Sequence, residues 1–160
     1  MPRKTKLDQT DFNILKILQE NGRVTNLELS KTIDLSPAPT LERVKKLEKQ
    51  GYIKSYHALV NHLTLGIGIE ALIQISLVRQ LENPMHNFAE QISQIDEVVE
   101  CYQVTGDYDY LLKVMVEDID ALNILISEKL SKIEEIGQFK SFIILSKVKD
   151  SKVAPLKYVR

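Results

Sequence analysis

Residues 35–52, LSPAPTLERVKKLEKQGY, constrain the fold more than any other stretch of the chain, because both ends of one helix are written into them. Ser36 offers an N-cap oxygen, Pro37 suits the first helical position, and Pro39 still lies in the first turn, where a missing N–H costs little. Gly51 ends the helix at the usual left-handed position. Between these limits Leu41, Val44 and Leu47 recur at helical spacing, which places Ala38, Pro39, Glu42, Arg43, Lys46 and Lys49 on or near the opposite face. That face is mostly cationic. On an isolated helix such a face is usually just solvated, so its meaning depends on context.

The context is a set of helices. Upstream, TNLELSKTI predicts a short helix with Thr25 and Glu28 as a capping box and with Leu27, Ile33 and Leu35 able to pack. Before it, DQTDFNILKILQENG has Asp8 as a cap, an amphipathic set of Phe12, Ile14, Leu15, Ile17 and Leu18, and Gly22 as a stop. Three helices, the last two joined by a very short turn, match the helix-turn-helix plan, in which the second helix of the pair enters the DNA major groove N-terminus first. The run YIKSYHALV alternates apolar and polar residues and predicts a strand over 52–60, serving as a wing and exit path.

Charge is distributed accordingly. Residues 1–60 carry 11 Lys+Arg against 7 Asp+Glu, a balance of +4, whereas residues 61–160 carry 10 against 15, a balance of −5. A whole-chain charge of −1 disfavours indiscriminate polyanion binding, but a local basic face suffices for phosphate contacts. The N-terminal PRKTK reads as a short arm rather than a targeting signal, since no apolar region follows it.

With 160 residues, 44% of them hydrophobic, the chain can build one ordinary domain or two small ones. No run of 18 apolar residues is present, so no membrane-spanning helix is expected. The single cysteine, Cys101, excludes an internal disulfide, fits a reducing cytoplasm, and reads as a small buried hydrophobe on a strand. His57, His62 and His86 have neither i, i+4 pairing nor cysteine partners at zinc-like spacing, so no metal is expected. There is also no Gly-rich phosphate loop and no sign of another cofactor.

From about Gly66 the pattern changes. IEALIQISL, EVVECYQVT, YLLKVMV and FIILSKV are four β-like runs. Between the first two lies a helical pattern of Met85, Phe88, Ile92 and Ile95 after Pro84. Between the last two lies another, with Asp118 as cap and Leu122, Ile126, Leu130 and Ile133 on one side. The order βαββαβ predicts a ferredoxin-like module over 61–160, behind a helix-turn-helix domain over 1–60. The fold class is therefore α+β. Gly106 and Asp107 read as the turn of a hairpin between the second and third strands. In YLLKVMV, Leu112, Val114 and Val116 face one way and Leu111 and Met115 the other, so both sheet faces ask for cover. Two helices cover one face, and a second subunit is the economical cover for the other.

These residues also carry a resemblance. LSPAPTLERVKKLEKQGYI and VTGDYDYLLKV are similar, over nearly the whole chain, to the Lrp/AsnC family of prokaryotic transcription regulators, and more to its leucine-responsive branch. The resemblance implies an N-terminal winged helix-turn-helix, a linker strand, and a ferredoxin-like module that dimerises and binds small effectors, commonly amino acids. It also implies dimers that often build octameric rings. Relatives commonly follow the equivalent of ALVN with proline, whereas His62 stands here.

Two aspartates in GDYDY could suggest a paired-carboxylate acid/base site, but no His or Lys stands at motif spacing beside them, and no enzyme activity is expected. Recognition suits them better. Gly106 lets the backbone approach a ligand and a carboxylate can pair with an ammonium group. By resemblance, the loop Thr105, Gly106, Asp107, Tyr108 and Asp109 lines the effector site, although the same aspartates could satisfy local backbone N–H groups instead. For DNA, Ser36 and the first-turn N–H groups are expected to meet a phosphate. Ala38, Pro39 and Thr40 are expected near the groove floor, and Arg43, Lys46 and Lys49 to supply base or backbone contacts. The expected protein is a cytoplasmic, oligomeric DNA-binding regulator responding to an amino acid. Competing readings are an effector-independent DNA-wrapping protein and an amino-acid-binding subunit of an enzyme.

Overall fold

The first helix, α1 (Gln9–Glu20), begins where Asp8 and Asp11 cap each other: Asp11 N–H donates to Asp8 Oδ1 at 2.8 Å and Asp8 N–H donates to Asp11 Oδ2 at 3.2 Å. Helix α2 (Asn26–Thr32) starts on the expected box, with the Glu28 N–H on Thr25 Oγ1 and the Thr25 N–H on Glu28 Oε2. Helix α3 (Pro37–Lys49) follows after a turn in which Asp34 takes a φ of 55° and Leu35 N–H donates to Ser30 O. Gly51, at φ 73°, ends α3 in the left-handed region. Ile14, Leu15, Leu29 and Leu47 form the buried centre of this unit. Leu29 takes the inward place on α2, and Leu27 is 55% exposed.

The computed structural model of the chain describes residues 6–78 and 83–156, arranged as two units. Residues 149–156 belong with residues 6–59, while Val60–Val148 form the second unit. Where a module over 61–160 is expected, the chain divides between Leu59 and Val60, and the tail lies with the first unit. Its apolar residues find a surface on α1: Ala154 N–H donates to Gln19 Oε1 at 2.6 Å, and Leu156 packs against the Ile14 and Leu15 cluster. The strand expected over 52–60 is absent among the described residues. Tyr52 and Ile53 N–H groups turn back onto Leu47 O and their side chains join the helical core, so their apolar character serves helix packing and no ladder.

The second unit opens with a 3₁₀ turn, His62–Leu65, and then β1 (Ile69–Leu77), α4 (Pro84–Ile92), β2 (Val98–Gln103), β3 (Tyr110–Val116), α5 (Ile119–Ile124) and β4 (Ile136–Ile143). All neighbours in the sheet β2-β3-β1-β4 are antiparallel, which is the ferredoxin-like order. Period-two alternation decides the faces: Ala71, Ile73 and Ile75 of β1 and Leu112 and Val114 of β3 pack with Phe88 and Ile92 of α4 and with Leu122, Leu125 and Leu130. Leu111 and Met115 lie on the other face, half-buried.

Two elements differ from expectation. The last strand is IGQFKSFI rather than FIILSKV, pairing Phe139 with Ile75 and Phe142 with Leu72, while Leu145 and Val148 are almost fully exposed. An edge strand alternates with polar residues and so hides from a search for apolar runs. After α5 the backbone widens into a π turn, Leu125–Lys129, then tightens at Leu130–Lys132. The wide turn brings Leu125 and Leu130, five residues apart, to the core together, and Ile126 is displaced to its margin.

Candidate functional site

In α3 the inward stripe runs through the buried Thr40 and Leu47 and the half-buried Val44, with Arg43 half-buried beside it. Compared with the stripe expected from Leu41, Val44 and Leu47, the inward face is turned by roughly 30° toward Thr40: Leu41 is 42% exposed and Thr40 is fully buried. Two residues expected at the DNA fall inside as a result. The Thr40 hydroxyl donates to Ser36 O at 3.0 Å, satisfying a small polar group that packs within the unit. Arg43 Nη1 donates to Asp8 Oδ2 at 2.7 Å and to Asp11 Oδ1 at 2.8 Å, so its charge is committed to the start of α1. Hydrogen bonds from the Asp11 N–H and then from Arg43 hold the Asp8 carboxyl below its usual range.

The other expected residues lie outside. Ser36, Ala38, Pro39, Lys46 and Lys49 are all exposed, and Ser36 makes no side-chain capping bond. At about 100° per residue, the direction opposite the buried stripe passes through Ala38, Glu42, Lys45 and Lys49. Lys45 was missed by sequence reasoning; it is exposed, with its Nζ 3.3 Å from Glu42 Oε1. Drawing the inward stripe through Thr40 rather than Leu41 brings Lys45 within about 50° of the outward direction, which would have found it. Glu48 is drawn aside by the Tyr56 hydroxyl, which donates to its Oε1 at 3.0 Å. The turn into α3 is braced by Asn26 Nδ2 donating to Pro37 O at 2.8 Å, a bond no local motif announces.

In the second unit the loop between β2 and β3 is a hairpin, closed by Val104 N–H on Asp109 O. Gly106 sits at φ 121° with open space where a Cβ would be. Thr105 and Asp107 are exposed, and Tyr108 is half-buried. Asp109 is engaged differently: its Oδ2 accepts from Leu77 N–H at 2.8 Å and its N–H donates to Ile75 O, so it fastens the hairpin to the end of β1. A cleft of ≈ 350 Å³ opens here, lined by Leu77, Pro84, Met85 and Asp109. Cys101 is exposed rather than buried. Among the described residues no group of three His, Cys, Asp or Glu is arranged to hold a metal ion.

Helices in helix-turn-helix order with a lysine-bearing outer face, followed in the chain by a four-stranded ferredoxin-like sheet, fit a DNA-binding regulator with a second domain. Family models agree with both halves: residues 7–54 match a winged helix-turn-helix DNA-binding domain and residues 70–154 the Lrp/AsnC ligand binding domain. The chain is 39% identical over 145 residues to the leucine-responsive regulatory protein of Escherichia coli K12, covering 91% of this chain and 88% of that one. A Neisseria meningitidis transcriptional regulator, solved as its L-Met complex, superposes with a TM-score of 0.93 at 35% identity, covering 97% of this chain and all of that one. Escherichia coli AsnC superposes with a TM-score of 0.85 at 30% identity, covering 94% of this chain and all of that one. The chain belongs to the Lrp/AsnC family of transcriptional regulators.

Proposed function

We propose that α3 enters the major groove with Ser36, Ala38, Pro39, Lys46 and Lys49 toward the DNA, and that an amino acid taken up at the loop from Thr105 to Asp109 changes DNA affinity or assembly. The observation that carries the first half is the exposed face of α3, with three lysines, Lys45, Lys46 and Lys49, on its C-terminal half. Their reach suits phosphates on either wall of the groove. Pro37 and Pro39 have no N–H, so Ala38 N–H and the Ser36 hydroxyl are the donors left to the first turn for a phosphate. The exposed Ala38 methyl and Pro39 ring suit apolar contact with thymine methyls.

The second half rests on the cleft beside Asp109 and on the L-Met bound to the Neisseria relative. Asp109 already holds Leu77 N–H, which leaves the exposed Asp107 carboxylate as the better partner for an ammonium group. We further infer a homodimer that covers Leu111 and Met115 and builds toward an octamer, working in the cytoplasm. No helix of the described residues is long and apolar enough to cross a membrane.

A thermal-shift panel of amino acids tests the ligand reading. A ligand at a hundredfold excess over its Kd stabilises by about 2.7 kcal/mol, and that stabilisation should vanish in Asp107→Asn. DNA affinity should shift by about 5- to 150-fold with the same ligand. A panel with no stabilisation, and unchanged DNA binding, would support an effector-independent DNA-wrapping protein.

A further inference from the structure

We propose that Arg43 is a positioning residue for DNA recognition, acting through Asp8 and Asp11 to hold α3 against the start of α1, rather than a residue that touches DNA. The proposal rests on the reading of α3 as the groove helix.

The geometry is a closed circuit. Each carboxylate spends one oxygen on capping α1 and the other on Arg43: Asp8 Oδ1 takes Asp11 N–H and Asp8 Oδ2 takes Nη1, while Asp11 Oδ2 takes Asp8 N–H and Asp11 Oδ1 takes Nη1. The Asp11 side chain is 4% exposed and that of Arg43 32%, so the pair is shielded from water at its inner end and open at Asp8. Asp11 is therefore a buried charge whose compensation comes from another helix, 32 residues away in sequence. Buried charges of this kind are costly to leave alone. On α3, Arg43 stands beside the inward residues Thr40, Val44 and Leu47, and one turn from the exposed Lys46. Rotation of α3 about its axis moves Arg43 away from both aspartates and Lys46 away from its outward direction at the same time. The clamp thus adds a directional contact to the non-directional packing of Val44 and Leu47 in the apolar centre, and so fixes which residues the helix presents.

Neutralising the aspartates distinguishes the two roles because the signs are opposite. Asp8→Asn with Asp11→Asn keeps an oxygen for each capping bond, removes two negative charges, and releases Arg43. If Arg43 touched DNA directly, or if charge alone governed binding, this variant would bind DNA more tightly. The clamp predicts the reverse. On a duplex selected by the wild-type protein from a random-sequence pool, affinity should fall at least tenfold, and the preference over random duplex should shrink by a similar factor. Circular dichroism and the melting profile check that the helices persist. Arg43→Met supplies the second arm of the cycle. Its effect should not add to that of the aspartate pair, so Arg43→Met combined with both asparagines should bind no worse than Arg43→Met alone. That comparison stands even where the asparagine pair fails to fold. Tighter or unchanged binding by the folded aspartate variant, or fully additive losses in the cycle, would overturn the clamp and return Arg43 to the DNA. A wild-type protein that selects no duplex at all would instead overturn the groove reading on which the clamp rests.

Discussion

The two units are stabilised by different means. In the N-terminal unit four buried apolar residues share the task with two capping boxes and the Arg43 clamp. In the C-terminal unit a continuous cluster from both central strands and both helical segments does most of it, with Glu70 and Glu135 the buried polar side chains among the described residues. Glu70 is buried and receives Lys147 at 2.6 Å, His62 at 2.9 Å and Lys113 at 3.3 Å. Where the core is small, orientation depends on directional bonds; where a sheet supplies area, it depends on packing. The DNA-reading half is accordingly the half in which single polar substitutions should matter most.

The largest effect that follows is Phe88→Ala. Phe88 is fully buried between α4 and the sheet, 4.6 Å from the Tyr110 ring by centroids, and its truncation should cost about 3–5 kcal/mol. Hydrogen exchange of the intact chain should report the loss in residues 60–148 and leave the amides of α1 protected; equal loss in both units would mean that they unfold as one. Gly106→Ala should come next, at about 1–3 kcal/mol, because its φ of 121° is a region that side-chain-bearing residues avoid. A smaller melting change would show that the hairpin loop re-forms around the new residue. Thr25→Ala should cost about 1 kcal/mol and should be felt as exchange in α2 alone.

A pH titration gives the most gradual effect. Burial pushes the Glu70 carboxyl up, but bonds from Lys147 and Lys113 outweigh it and leave the group below its ordinary value of 4.5. Its folded form is thus the poorer proton acceptor. The stability it contributes is complete above the ordinary carboxylate range and is lost as pH falls through the lowered folded value. Glu70→Gln should flatten that acid limb for the C-terminal unit; an unchanged limb would assign it to other carboxylates.

The same contrast explains what could be read from the sequence. Strands β1, β2 and β3, the Pro84 and Asp118 helix starts, the Thr25 box and the Gly51 stop were legible because each depends on neighbours in the chain. The inward turn of Thr40 and Arg43 was not. Leu41, Val44 and Leu47 make as good a stripe in sequence as Thr40, Val44 and Leu47, and the contacts that separate them, those of Arg43 with Asp8 and Asp11 included, come from residues far away in the chain. The tail from Lys149 and the strand Ile136–Ile143 escaped for a related reason: their partners, α1 and β1, lie far away in sequence. In the loop between β2 and β3, the position of Gly106 was legible, but the bond from Leu77 N–H that occupies Asp109 was not.

The most direct test of the central claim, that the outer face of α3 meets DNA, is the salt dependence of duplex binding by the intact chain and by Lys46→Ala with Lys49→Ala. Removing one lysine–phosphate pair should lower the slope of log affinity against log salt by about one unit, so the double variant should drop by about two while its melting profile stays unchanged. An unaltered affinity and slope would contradict the account and remove this helix from the groove.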